Sequence, residues 1–253
     1  MICSLLIDAD DSPDFPGSTA TAFGRPLAAY PMMAARGCGL IGRHYALTAS
    51  PPVKSIAAQN GAVIIDPPSD KRARDLPLLH GYKLILEDLK AEKKSLRLLC
   101  VFSAQTPTIT ADIVEAGIQA LIDKPAFDSA ASASPYNRFH PLLARRVGEG
   151  DALEPFLRAS AQPPAGDVWY PDSGVQILRP ETLGREPVAP APPLWWLGAK
   201  VFALKQWGGG PVDFQWQIPA VEFWLKKHGV SDITHNLELQ PKPQPAAPKH
   251  KRR

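Results

Sequence analysis

The chain has 253 residues, 45% hydrophobic and 21% charged, with 28 prolines and a formal net charge of +3. That length and balance exclude a small disulfide scaffold and a chain disordered throughout, and no apolar run approaches the roughly 18 residues of a membrane span. The last fourteen residues hold Lys242, Lys249, Lys251, Arg252 and Arg253 and no acid, so residues 1–239 carry −2 and lack the basic footprint of a DNA-binding domain.

Short apolar runs alternate with helix-like segments, the pattern of an α/β domain built on a mostly parallel sheet. Residues 2–7 read as a buried strand; the run MICSLLIDADD has no basic residue ahead of its apolar part and acids straight after, unlike a signal peptide. Pro26 suits the first turn of a helix running to Arg36, with Gly37 and Gly39 as its stop and Pro31 forcing a kink or a later start. Residues 43–48 follow as a strand, 52–60 as a short helix ending at Gly61, and 62–65 as a third strand. Between 75 and 94, Leu78, Leu79, Tyr82, Leu86 and Leu89 recur mostly three or four apart, which predicts a helix with one buried side.

Residues 96–102 read as a central strand, and Thr110 caps a helix through Asp123 with Ile113, Ile118, Leu121 and Ile122 as its stripe. A strand over 127–133 leads into a small excursion of irregular structure at 135–156. Strands at 174–178 and 200–204 are separated by a loop rich in proline and tryptophan. A closing helix over 215–228 has Trp216, Pro219, Ala220, Phe223 and Trp224 along its packed side. The domain is therefore expected to span 1–229, with 230–253 a basic, proline-rich disordered tail.

Cys3, Cys38 and Cys100 each lie in an apolar stretch with no second Cys or His at metal-ligand spacing. They read as small core side chains of a protein in a reducing compartment, which implies the cytoplasm. Trp195, Trp196 and Trp207 could form a carbohydrate platform, a core cluster or a dimer contact, and the turn at 206–210 could cradle phosphate or simply connect two elements. His228 and His235 read as solvated.

The order and content of these segments resemble the acylneuraminate cytidylyltransferases, the CMP-sialic acid synthetase group. The stretches that carry the likeness are GRPLAAYPMMAARGCGLIGR (24–43), LTASPPVKSIAAQNGA (47–62), SAQTPTITADI (103–113), FDSAASASPYNRFHP (127–141), YPDSGVQILRPETL (170–183) and GGGPVDFQWQIPAVEFWL (208–225). The resemblance implies a three-layer Rossmann-like nucleotidyltransferase fold with a small β excursion. It also implies transfer of CMP from CTP to a 2-keto sugar acid, with release of pyrophosphate, magnesium as cofactor and a homodimer.

By the same resemblance Asp8, Asp10, Asp11, Gly17 and Arg25 fall at the nucleotide loop, and Gln105, Tyr136, Asn137, Arg138 and Ser173 at the substrate. Asp213 and Gln215 fall at the metal, with Asp213 and His140 as catalytic candidates and Glu222 beside the metal. The motif departs from the family in several places. Its cationic, glycine-rich loop is replaced by DADDSPDFPGSTATAF (8–23), with no Lys or Arg. Gln215 stands where a second metal carboxylate is usual, Ser103 for a glutamine, Ile109 for an arginine, Ala49 for an aspartate and Ser173 for an asparagine. A bare carboxylate about 4 Å from a phosphate oxygen costs roughly 4 kcal/mol at an effective dielectric of 20, unless a bridging cation reverses the sign. Retained scaffold with altered chemistry therefore also fits a catalytically inactive homologue that acts as a binding or scaffolding subunit.

Overall fold

A computed structural model describes residues 1–8, 15–68, 77–156, 166–184 and 193–231. In chain order its first half comprises β1 (Ile2–Ile7), β2 (Thr21–Ala22), β3 (Arg25–Pro26), α1 (Ala29–Gly37), β4 (Arg43–Leu47), α2 (Pro51–Gln59), β5 (Ala62–Ile65), α3 (Pro77–Ala91) and β6 (Leu98–Ser103). The second half comprises α4 (Ala111–Asp123), β7 (Ser129–Pro135), β8 (Arg145–Val147), β9 (Leu153–Pro155), β10 (Trp169–Leu178), α5 (Pro180–Leu183), β11 (Val201–Lys205) and α6 (Ile218–Lys227).

Seven strands form one sheet in the order β11-β7-β10-β6-β1-β4-β5. All neighbours run parallel except β10, which lies antiparallel to both β6 and β7. This is the mixed α/β, mostly parallel architecture expected from the alternation of segments. Strands buried on both faces read as continuous apolar runs, and LLCVFS of β6 is such a run. One face packs on α1, α2 and α4 through Met32, Val53, Ile118 and Leu121, and the other on α3 through Leu78, Ile85 and Leu89. The three cysteines are free and buried, and burial pushes the Cys3 thiol up to about 11.

Pro26 lies in a hairpin strand rather than opening a helix, and α1 starts three residues later at Ala29. The two-residue turn between β2 and β3, Phe23-Gly24, has positive φ at both positions (47° and 73°), the geometry that closes tight hairpins. Pro31 becomes the third residue of α1, where a backbone N–H has no intrahelical acceptor to lose. Thr110 caps α4 as its sequence predicts, its hydroxyl accepting from Ile113 N at 3.5 Å. The excursion combines the irregular structure and the small β element expected of it: two short 3-10 turns lead into the β8–β9 hairpin.

The closing helix turns the other way from its predicted packing. Ile218, Val221, Trp224 and Leu225 are buried against Phe15, Ala22, Leu27, Tyr30 and Val212, in a third core that ties α6 to the β2–β3 hairpin. Trp216, Pro219, Ala220 and Phe223 are exposed. Of the expected packed side only Trp224 is inside, because α6 is apolar on both faces and its periodicity alone does not choose between them.

Candidate active site

From β1 the chain builds outward through β4 to β5, then returns to place β6 on the other side of β1. Such a reversal opens a crevice beyond the carboxyl ends of the strands, the usual ligand position in open α/β sheets. Asp8 leaves β1 at this point. Its backbone N–H bonds Leu47 O at 3.0 Å, and its Oδ2 accepts from the buried Thr48 hydroxyl at 2.5 Å. On the other side of the crevice, a Cβ built on Gly17 would stand 3.1 Å from both Gln105 Cγ and Val212 O. Any side chain at residue 17 would press on these two segments, so the glycine lets the first loop lie close against them. Val212 N in turn donates to Gln105 O at 2.9 Å, which sets Asp213 beside the same junction.

A second feature lies one strand further along. β10 carries three residues more than β7 between the pairs Pro171–Ala133 and Gln176–Ala131, and the extra length is taken up at Asp172-Ser173-Gly174. Asp172 is only 3% exposed, and four donors satisfy it. Ser132 Oγ (2.5 Å) and Gly174 N (3.2 Å) donate to its Oδ1; Ser134 Oγ (2.7 Å) and Gln206 Nε2 (2.7 Å) donate to its Oδ2. The carboxylate thus ties β7, the bulge in β10 and the turn after β11 into one unit. That turn is held again by Gly209 N to Ser134 Oγ (3.0 Å), Gly210 N to Thr108 Oγ1 (3.4 Å) and Tyr136 OH to Gly209 O (2.5 Å). A Cβ on Gly209 would stand 2.6 Å from Gln206 Nε2 and closer still to Asp172 Oδ2, too close for either to keep its place.

No protein-family model and no curated protein sequence matches the chain. Among solved structures it resembles CMP:2-keto-3-deoxy-manno-octonic acid synthetase complexed with CTP, at TM-score 0.61 and 16% identity over 90% of this chain and 100% of that one. It also resembles 4-diphosphocytidyl-2C-methyl-D-erythritol synthase from Anaerococcus prevotii, at TM-score 0.56 and 11% identity over 89% of this chain and 96% of that one. The chain has the nucleotidyltransferase fold.

Within the nucleotidyltransferase fold, the candidate residues fall into two groups. Asp8, Gly17, Gln105 and Asp213 border the crevice. Asp10 and Asp11 lie outside the described residues, as does the side chain of Arg138. Arg25 is half-buried in β3, within the hairpin that packs on α6. Ser173 sits in the bulge with φ 60°, a left-handed conformation imposed by the turn that Asp172 caps. Tyr136 reaches the Gly209 carbonyl and stands 5.8 Å from the Phe139 ring.

The remaining candidates are engaged locally. Asn137 donates to Asp167 Oδ1 at 2.9 Å and accepts from Val168 N at 2.8 Å. His140 Nδ1 accepts from Leu142 N at 3.2 Å and caps a 3-10 turn in the excursion. Glu222 accepts from Phe23 N at 3.2 Å, across the hairpin turn. Trp196 donates to Gln176 Oε1 at 2.7 Å and packs against the core on the α3 side of the sheet, with the half-buried Trp195 edge-on to it at 6.1 Å. The backbone N–H groups of Gly209 and Gly210 are already bonded within the protein, which makes the 206–210 turn a braced connection.

Asp213 and Gln215 are both exposed, and Asp213 N is held by Gln217 Oε1 at 2.7 Å. Among the described residues no three His, Cys, Asp or Glu side chains come together to hold a metal. One carboxylate and one amide do not make a protein-only cage. They do suit a magnesium ion that keeps its waters and arrives on phosphate oxygens. Sequence patterning singles out none of Asp172, Ser132 and Ser134, and Gln206 only as the first residue of the 206–210 turn. Two signals are present: hydroxyls at positions 129, 132 and 134 of an otherwise small, apolar stretch, and a turn tripeptide, Asp-Ser-Gly, at the entry to the strand expected over 174–178.

Proposed function

We propose that the chain is a cytidylyltransferase that transfers CMP from CTP to a 2-keto sugar acid of the nonulosonic, sialic type. The observation that carries this reading is the convergence of the first loop, the segment after β6 and the loop before α6 on one crevice at the carboxyl edge, through Gly17, Gln105 and Val212. It is supported by likeness to a solved synthetase whose structure holds CTP. The sugar hydroxyl gives up its proton to solvent as its oxygen attacks the α-phosphorus and forms the new O–P bond. The bond from that phosphorus to the bridging oxygen of the β-phosphate breaks, and pyrophosphate leaves. Catalysis of this kind is mostly positioning and charge stabilisation. Asp213, with the Gln215 amide, would hold magnesium, and the ion would neutralise charge on the phosphates.

A second reading, a catalytically inactive homologue serving as a binding or scaffolding subunit, is favoured by a specific observation. The loop from 8 to 23 has no cation, Asp8 lies at its entry, and the glycine turn has committed two of its N–H groups. The two readings separate in a calorimetric titration with CTP and magnesium. Saturable, metal-dependent heat that weakens about tenfold or more in Asp213→Ala supports the transferase. No heat with any of the four nucleoside triphosphates sinks it and leaves the scaffold.

The reading includes a homodimer in the cytoplasm. Three free, buried thiols support a reducing compartment. The excursion supports self-association. Phe139, Leu143, Val147, Leu153 and Phe156 are all exposed on it, and an isolated two-stranded hairpin is marginal in water. Arg146 and Glu154 pair with each other across the hairpin at 2.7 Å, and Arg145, Glu149 and Asp151 leave charges of both signs on the excursion, which is compatible with a self-complementary two-fold contact.

A further inference from the structure

We propose that the outward face of α6, led by Trp216 and Phe223, docks the protein on an anionic lipid surface. Trp216 is 72% and Phe223 56% exposed, yet α6 is already fully occupied on its other side by the third core. The 3-10 turn at 215–217 runs directly into α6, so the seven-residue step from Trp216 to Phe223 spans about two turns and places both rings on the same side. The patch is wider than these two. Phe214 stacks on Trp216 with ring centroids 6.1 Å apart and planes 11° from parallel, and Trp207 meets Phe223 edge-on at 6.2 Å.

The chemistry around the rings selects the occupant. Lys226 and Lys227 are exposed at the end of this face, neither in an ion pair among the described residues, and Lys227 Nζ stands 5.6 Å from the Phe223 ring centroid. Glu222, the acid on the same helix, is engaged by Phe23 N. Exposed Trp and Phe with lysines at their margin match the boundary between acyl chains and anionic headgroups. A second attractive element is needed for stable peripheral attachment, and the five cations of residues 240–253 follow α6 in the chain. Nucleic acid fits less well, since it needs a row of cations at phosphate spacing and the face offers two, at one end. At its 214–216 end this surface adjoins the proposed metal residues, since Phe214 and Trp216 flank Gln215, but vesicle flotation reads attachment and not transfer, so the two proposals fail separately.

The test is flotation of the full chain with vesicles of phosphatidylcholine alone or with one-quarter phosphatidylglycerol. Binding to the anionic vesicles that exceeds binding to the neutral ones about tenfold, and falls about tenfold in a Trp216→Ser, Phe223→Ser variant of unchanged melting temperature, is expected. Lys226→Glu, Lys227→Glu should weaken it in the same direction, and salt should screen it. Absence of flotation with either vesicle overturns the proposal. So does undiminished flotation of the aromatic variant, which would assign binding to the tail alone. If instead the aromatic variant loses affinity for a single-stranded RNA, or halves the native mass, without any vesicle binding in the parent, the face belongs to that other partner and the proposal fails.

Discussion

Asp172 is a carboxylate taken almost wholly out of water, which is tolerable only because Ser132, Ser134, Gln206 and Gly174 together supply four hydrogen bonds. Asp172→Ala leaves those donors facing a void, and each unsatisfied buried group costs about 1–3 kcal/mol. The expected loss is about 3 kcal/mol or more in a urea titration, with Asp172→Asn losing less because it keeps one acceptor oxygen. Equal stability of the alanine variant and the parent would remove Asp172 from its structural role. His44 offers a pH-dependent counterpart. Burial first, then nearby Arg36, lowers its pKa from 6.5, and its Nδ1 meets Ser4 Oγ at 2.8 Å. The folded state therefore holds it neutral while the unfolded chain takes up a proton below about 6.5. Its contribution is complete above that pH and is lost as pH falls toward the lowered folded value. The melting temperature should drop between pH 7 and pH 5, and His44→Gln should flatten that slope; an unchanged slope would exonerate His44.

Among the elements, α4 was the most legible from sequence. Its cap residue, its apolar stripe and its end are local properties, and Thr110, Ile118 and Leu121 all stand where their spacing puts them. Thr110→Ala should cost about 1 kcal/mol, read as a lower urea midpoint at unchanged slope. The strand at 174–178 was legible only in part. β10 begins five residues earlier, at Trp169, because its first half is held by β7 across a bulge, and a bulge breaks the period-two pattern that marks a strand. The hairpin strands β2 and β3 are two residues each, too short to show any period. In α6 the signal was present but ambiguous, since an apolar residue occupies nearly every angular position around the helix.

For the whole molecule, the partition of charge carries most weight. A body of −2 with an acid-rich first loop is a poor host for a triphosphate unless cations accompany it, which is why metal dependence is the sharpest part of the CTP titration. Self-association belongs to this scale too. Sedimentation of the parent should give twice the chain mass, and Val147→Glu with Leu153→Glu on the excursion should return it to the monomer mass at unchanged helix content. A monomeric parent would end the dimer reading. From the sequence by itself came the succession of strands and helices, the sheet's mostly parallel sense and the acidic character of the first loop, because each is set by residues close together in the chain. Only the tertiary structure decided that β10 slots antiparallel between β6 and β7, bringing Asp172 to Ser132, Ser134 and Gln206. It alone also chose which side of α6 is covered. Both outcomes depend on contacts between segments tens to some two hundred residues apart, and no local period encodes which of two equally apolar faces such a contact will claim.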